Sequence, residues 1–333
     1  MDFISLIPNI CEGFPFEKGD SVLLNFWGDN GDLEILDLIS EQLSKKGAIP
    51  FKLHCSKFYY EKVILNLIDN DQEIPQEYFE YLSSFKSVID IFMYTPSLPN
   101  SISEENIPKF KKHLTELFNA LTDDKKYYIQ LTVPTEINAL RAGLEYDIYN
   151  SKICNALSVD FPKLKADCKK KVESLKDKNS VEIFTGNKYS LKLDIGGRKW
   201  FVDDGCGDFP PGEVSIAPIE ENSNGNLLVS IINFKGQIYK DVLMTFKNGK
   251  LVKCSIKELD EFFNSLPENF KVLCELGIGL NPKVKELIGF TLIDEKALGT
   301  YHIGLGMNHL SGGKNNCPFH MDFVFYCDSI IFK

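Results

Sequence analysis

The chain has 333 residues, of which 44% are apolar and 25% charged, and its formal net charge is −10. That length allows two domains with separate cores, and the composition is that of a soluble globular protein. The negative charge argues against nucleic acid as a partner, since such binding rests on Lys and Arg neutralising phosphate. No run approaches the ~18 apolar residues of a membrane helix, so no membrane partner is expected.

The N-terminal stretch MDFISLIPNICEGFPF has no basic region leading into a long apolar one, so no secretory leader is expected. The apolar run Ser21–Trp27 predicts a strand, and Gly28-Asp29-Asn30-Gly31 breaks it. Asp32–Lys46 follows with Leu36, Ile39 and Leu43 on one helical stripe and stops at Gly47. Ile49–Cys55, Ser87–Tyr94 and Tyr127–Val133 are further β-rich runs. Strands separated by helical patterns imply βαβ units on a parallel sheet, here an open, Rossmann-like α/β domain. The turn at Gly28 lacks the G-x-G-x-x-G fingerprint, so it is read as a plain strand-to-helix turn and not as a nucleotide loop.

Phe161–Lys178 predicts a lysine-rich helix with Leu164, Cys168, Val172 and Leu175 as its apolar stripe. With no arginine or aromatic interleaved, its charged side reads as a solvated face. From Asn179 onward the texture changes to short β-like runs: Val181–Thr185, Tyr189–Ile195, Leu227–Phe234, Asp241–Lys247 and Lys250–Ser255. Asn248-Gly249 between the last two is a hairpin signal. The expected organisation is therefore an α/β domain over 1–178 and an α+β domain with a mostly antiparallel sheet over 179–333. The nine cysteines form no C-x-x-C pair. Their irregular spacing suits free thiols in a reducing cytoplasm, which is the expected location.

The chemistry concentrates in the second domain. Three of the five histidines fall between His302 and His320, and His320-Met321-Asp322 places an imidazole two residues from a carboxylate. On a strand, positions i and i+2 share a face, so both side chains reach one point. Glu275 and Glu295 follow the apolar runs Val272-Leu273-Cys274 and Phe290-Thr291-Leu292-Ile293, where burial is expected. A buried glutamate needs a counter-charge or a cation, and Lys296 is one alternative partner. Glu213 follows the turn Pro210-Pro211-Gly212 and leads into the run Val214–Ala217. Each residue alone has a plainer reading: a core His–Asp hydrogen bond, a satisfied core histidine, an exposed turn acid. Together, Glu213, Glu275, Glu295, His302, His320 and Asp322 exceed the three protein ligands of one hydrolytic metal and suggest two divalent ions bridged by a carboxylate. Zinc, cobalt and manganese all accept this donor set.

Several ordered blocks resemble one family. They are Pro211-Gly212-Glu213-Val214 through Ala217-Pro218 and Asn224-Gly225, Lys235-Gly236, Glu275-Leu276-Gly277-Ile278-Gly279-Leu280-Asn281-Pro282, Leu292-Ile293-Asp294-Glu295-Lys296, His302-Ile303-Gly304-Leu305-Gly306, Gly312-Gly313-Lys314-Asn315-Asn316 and His320-Met321-Asp322. This order is similar to that of the M29 metallopeptidases, the thermophilic aminopeptidase (aminopeptidase T) family. The resemblance spans about residues 196–326 and implies a two-metal aminopeptidase that removes N-terminal residues from peptides, assembled as a homodimer; a two-metal hydrolase of another small amide or modified peptide, and an inactive metal-binding relative, are the alternatives. It implies Glu213, Glu275, His302, His320 and Asp322 as metal ligands, with Glu275 as the bridge and Glu295 as a ligand or general base. The family carries an active-site tyrosine seven residues after the histidine that matches His302. Here that offset gives His309, whose imidazole would donate to the tetrahedral intermediate or add a ligand.

Overall fold

In the computed structural model, which describes residues Asp2–Lys333, the chain's contacts form two units. One holds the residues up to Ser158 together with Gly205–Phe209, and the other holds Val159–Asp204 with Pro210–Lys333.

The first unit is built on a parallel sheet. Its strands are β1 (Ser21–Trp27), β2 (Ile49–His54), β3 (Ser87–Phe92) and β4 (Tyr127–Thr132), in the order β2-β1-β3-β4, with the short strand Asp208–Phe209 beside β4. Every pairing in it is parallel. β1 is buried at every residue after Ser21, and β3 is buried from Ser87 to Ile91. That continuous apolar run is what a central parallel strand covered on both faces requires. The helix Leu33–Lys45 buries Ile35, Leu36, Ile39 and Leu43 and packs on β1 and β2. The Gly28–Gly31 segment is a strand-to-helix turn, closed by Asp29, whose backbone N–H donates to Asp32 Oδ2 at 2.8 Å.

One charge is enclosed in this sheet. Asp90 on β3 accepts from Asn25 Nδ2 (2.7 Å) and Trp27 Nε1 (2.8 Å) at Oδ1, and from the Tyr128 hydroxyl (2.9 Å) at Oδ2. Burial pushes its carboxyl up to about 7, against the pull of those three donors. The folded form thus holds a proton that the unfolded chain releases near pH 4. Its contribution to stability is complete below about pH 4 and is lost as pH rises to about 7, on the order of 4 kcal/mol in all. Urea unfolding of the wild type and Asp90→Asn across pH 4–8 checks this. The wild type should lose stability relative to the variant between pH 4 and 7; parallel pH curves would mean that Asp90 does not titrate in that window.

The second unit contains two antiparallel sheets. The larger runs Lys250–Cys254, Gln237–Lys247, Asn224–Phe234, Tyr189–Asp194, Ser180–Thr185 and Ser329–Phe332 in spatial order. Asn248 and Gly249 take φ of 49° and 75° at the expected hairpin, the left-handed pair that a tight two-residue turn demands. The smaller sheet comprises β5 (Phe201–Asp203), β6 (Glu213–Ile216), β7 (Leu273–Gly279), β8 (Tyr301–Gly306) and β9 (His320–Phe325), in the order β9-β8-β7-β6-β5. The architecture is therefore an α/β part followed by a part rich in antiparallel sheet. The helix Phe161–Leu175, which lies before position 178 in the sequence, packs on β5 and β6 and buries Leu164 and Cys168.

Candidate metal centre

The smaller sheet arranges its side chains by a period of two. Directly opposed residues in an antiparallel pair share a face, as do positions i and i+2 along a strand. The register pairs Glu275 with Gly304, Gly304 with Asp322, Gly277 with His302, Gly306 with His320, Gly279 with Glu213, and Glu213 with Asp203. All of these positions therefore fall on one face. Leu276, Ile278, Ile303, Leu305, Phe323 and Phe325 take the opposite face and are buried. The alternation visible in E-L-G-I-G, H-I-G-L-G and H-M-D is thus a checkerboard of donors and glycines over an apolar backing.

Two of these glycines, Gly277 and Gly304, leave the donors the space they need. A Cβ on Gly277 would lie 1.9 Å from His302 Nε2. One on Gly304 would lie 2.8 Å from Glu275 Cβ, 2.9 Å from Asp322 Oδ1 and 3.0 Å from His320 Cε1. Glu295 reaches the same face from the end of the short helix Thr291–Asp294.

All six residues singled out as donors are brought together, in two groups of three. Glu213, Glu295 and His302 form one, and Glu275, His320 and Asp322 the other, with the donor atoms of each group within 4.8 Å of one another. Glu275 spans the two: its Oε1 is 3.6 Å from His302 Nε2 and its Oε2 is 3.6 Å from His320 Nε2. His302 Nε2 is 3.4 Å from Glu213 Oε2, and His320 Nε2 is 3.1 Å from Asp322 Oδ1.

Two details fit a divalent cation in each group. Glu213 Oε2 is buried with no hydrogen bond, an expensive state for a carboxylate oxygen unless a cation completes it. His320 Nδ1 donates to the Met307 carbonyl at 2.9 Å, which orients the ring with Nε2 toward the carboxylates, where it could serve a cation once deprotonated. The donor set, with four carboxylates and two imidazoles, is of the kind that zinc, cobalt and manganese take.

The local field is strongly acidic. Burial works against protonation of His302, but Glu275, Glu213 and Asp322 overcome it and raise the imidazole to about 9. His320 is raised as well, by Asp322 and Cys274 against its burial. Asp322 is held below the usual carboxylate range by the two imidazoles, although burial opposes this. Glu295 is pushed up to about 8 by burial, with Lys296 pulling the other way.

His309 lies elsewhere. It sits exposed on the turn His309–Ser311 between β8 and β9 and belongs to neither group of donors. Its segment is pinned by Glu220, which accepts from Arg198 Nη2 (2.6 Å), Asn308 Nδ2 (3.0 Å) and the Lys314 N–H (2.6 Å). The sequence analysis did not single out Glu220, Arg198 or Asp203. Asp203 stands beside Glu213 only because β5 pairs with β6, and nothing in the local pattern F-V-D-D-G marks it. The only signal available for Glu220 was an acid two residues after Ala217-Pro218.

Comparisons with known proteins bear on the family and the fold. A family model described as thermophilic metalloprotease (M29) matches residues 9–324, and the chain belongs to that family. Among solved structures, wild-type AmpT from Thermus thermophilus is similar at 17% identity and a TM-score of 0.68, over 99% of this chain and 94% of that one. The 2,5-dihydroxypyridine dioxygenase of Pseudomonas putida KT2440 is similar at 15% identity and a TM-score of 0.62, over 98% and 92%. Both are likenesses of fold. A search of curated proteins found no match.

If the glycines exist to make room for the donors, Gly277→Ala should cost the protein at least one equivalent of bound metal and destabilise it by about 1–3 kcal/mol. Gly31→Ala, where an added Cβ meets nothing within 4 Å, is the control. Elemental analysis and thermal unfolding of the two variants make the comparison; retained metal in Gly277→Ala would show that His302 does not need that space.

Proposed function

We propose that the protein is a metal-dependent aminopeptidase that removes N-terminal residues from peptides, with two divalent ions, zinc, cobalt or manganese, in the smaller sheet of its second unit. Family membership supports the reaction class, and the observation that carries the reading is the placement of Glu275 with one oxygen toward each group. Glu213, Glu295 and His302 would hold one ion, and Glu275, His320 and Asp322 the other. Bound there, the ions would supply an acidic water and polarise the scissile carbonyl.

The chain's own residues do the rest. Glu275 ties the two positions together. Met307 orients His320 through Nδ1. Glu295 stands where it would either complete the first ion's ligands or, outside them, pass a proton to the leaving amine. The family resemblance also supports a homodimer working in the cytoplasm; among the described residues no helix is long and apolar enough to cross a membrane.

A second reading follows from His309. Although His309 belongs to neither group of donors, its place at the sequence offset of the family tyrosine supports a hydrolase of another small amide or a modified peptide, or an inactive metal-binding relative. The dioxygenase of similar fold is a reminder that fold alone does not choose a reaction.

The test is metal content per chain together with hydrolysis of leucine p-nitroanilide after zinc, cobalt or manganese is restored. Two ions with metal-dependent turnover support the aminopeptidase. Two ions without turnover point to the second reading, and no bound metal sinks both. Glu275→Gln should lower turnover by at least about 100-fold, since even partners outside the ligand set cost 10–100-fold. Unchanged turnover would remove Glu275 from the site. Under the aminopeptidase reading His309→Tyr should keep or raise leucine release, while under the second it should lose the native activity and gain none on this substrate.

A further inference from the structure

Lys296 is a lysine with no solvent exposure, and it lies against the first group of donors. Its Nζ is 2.6 Å from Glu213 Oε1, 3.0 Å from Glu295 Oε1 and 3.1 Å from Asp203 Oδ2. An ammonium has three N–H donors, and here three carboxylates each present one oxygen to it. The consequence for Glu213 is specific: Oε1 is held by Lys296, while Oε2 has no hydrogen bond and lies on the His302 side, 3.4 Å from Nε2. A free carboxylate can embrace a cation with both oxygens; one whose outer oxygen is held by an ammonium offers only the other.

We propose that Lys296 is a positioning residue that restricts Glu213 and Glu295 to one oxygen each toward the ion held with His302. It thereby keeps that ion's coordination number low and its affinity moderate. The inference rests on the metal reading of this site. Its chemistry is that of a fixed counter-charge. The ammonium stands behind two ligands and opposes a second cation in front of them, so the ion is held less tightly and positions on it stay open for water or substrate. Asp203 accepts another of its N–H groups at 3.1 Å, which keeps the ammonium from turning away. A purely structural ion pair would make a different prediction, because its loss would weaken folding and metal uptake together and leave the ion's geometry as it was.

Cobalt reads both properties. Apo protein is titrated with cobalt(II) against a competing chelator, and visible absorption per ion is recorded, since its intensity falls as coordination rises. In Lys296→Met one equivalent should bind about tenfold tighter or more, as expected from removing a positive charge this close in a buried site. The same variant should absorb less strongly per ion. Lys296→Arg should restore absorption toward the wild-type value. Unchanged or weaker affinity, or unchanged absorption, in Lys296→Met overturns the proposal while leaving the metal reading intact. A wild-type protein that takes up no cobalt overturns both. If Lys296→Met does not fold, the crystal structure of the wild type with zinc bound decides. Lys296 on Glu213 Oε1 with a one-oxygen contact to zinc supports the proposal, and a two-oxygen contact or a displaced Lys296 overturns it.

Discussion

The second unit depends on one constraint, the two-residue period of an antiparallel sheet, which β7 and β8 keep from Glu275 onward past a bulge after Leu273. Because β6, β7, β8 and β9 pair in register, every polar donor must alternate with an apolar residue along its strand and face a small residue across it. A slip of β8 by one residue against β7 would turn His302 into the core and bring Ile303 among the carboxylates. The apolar face therefore does two jobs. It packs the unit, and by being unable to exchange places with the polar face it fixes where the donors point.

That arrangement gathers charge at a cost. Asp203, Glu213, Glu275, Glu295 and Asp322 lie close together and are largely enclosed, and like charges in a low-dielectric interior repel strongly. Three devices offset the repulsion. The imidazoles of His302 and His320 sit between carboxylates. The Lys296 Nζ lies against three of them. What remains unsatisfied, Glu213 Oε2 above all, lies 3.4 Å from His302 Nε2, where a divalent cation would complete the balance. The first unit handles its one enclosed acid differently. Asp90 is surrounded by neutral donors from Asn25, Trp27 and Tyr128, so no cation is needed and the carboxyl instead keeps its proton more readily.

Much of this was legible in the chain itself. The alternation of apolar strands and helical stripes up to Val133 dictated a parallel sheet, and the turn at Asn248-Gly249 dictated a hairpin, because both signals are local. The six donors stood out for a similar reason: glutamates after apolar runs and histidines among glycines are conspicuous wherever they occur. The partners of these residues were far less legible. Lys296 was visible as a neighbour of Glu295, but its reach to Glu213 and Asp203 crosses more than eighty residues of sequence. Glu220 and Arg198 gave no local sign of closing around the Asn308–Lys314 segment. The helix Phe161–Leu175 was readable as a helix, yet its packing on β5 and β6 is settled by Leu164 and Cys168 meeting strands that lie 25 or more residues onward.

The sequence by itself determined the strand periodicity, the donor types and the glycines interleaved with them, since these follow from residue identity and spacing of two. Only the tertiary structure decided how the donors divide into two groups, that Glu275 reaches both, and that a buried ammonium stands behind one of them. Those facts depend on strand register and on pairings between segments distant along the chain, which no local pattern encodes.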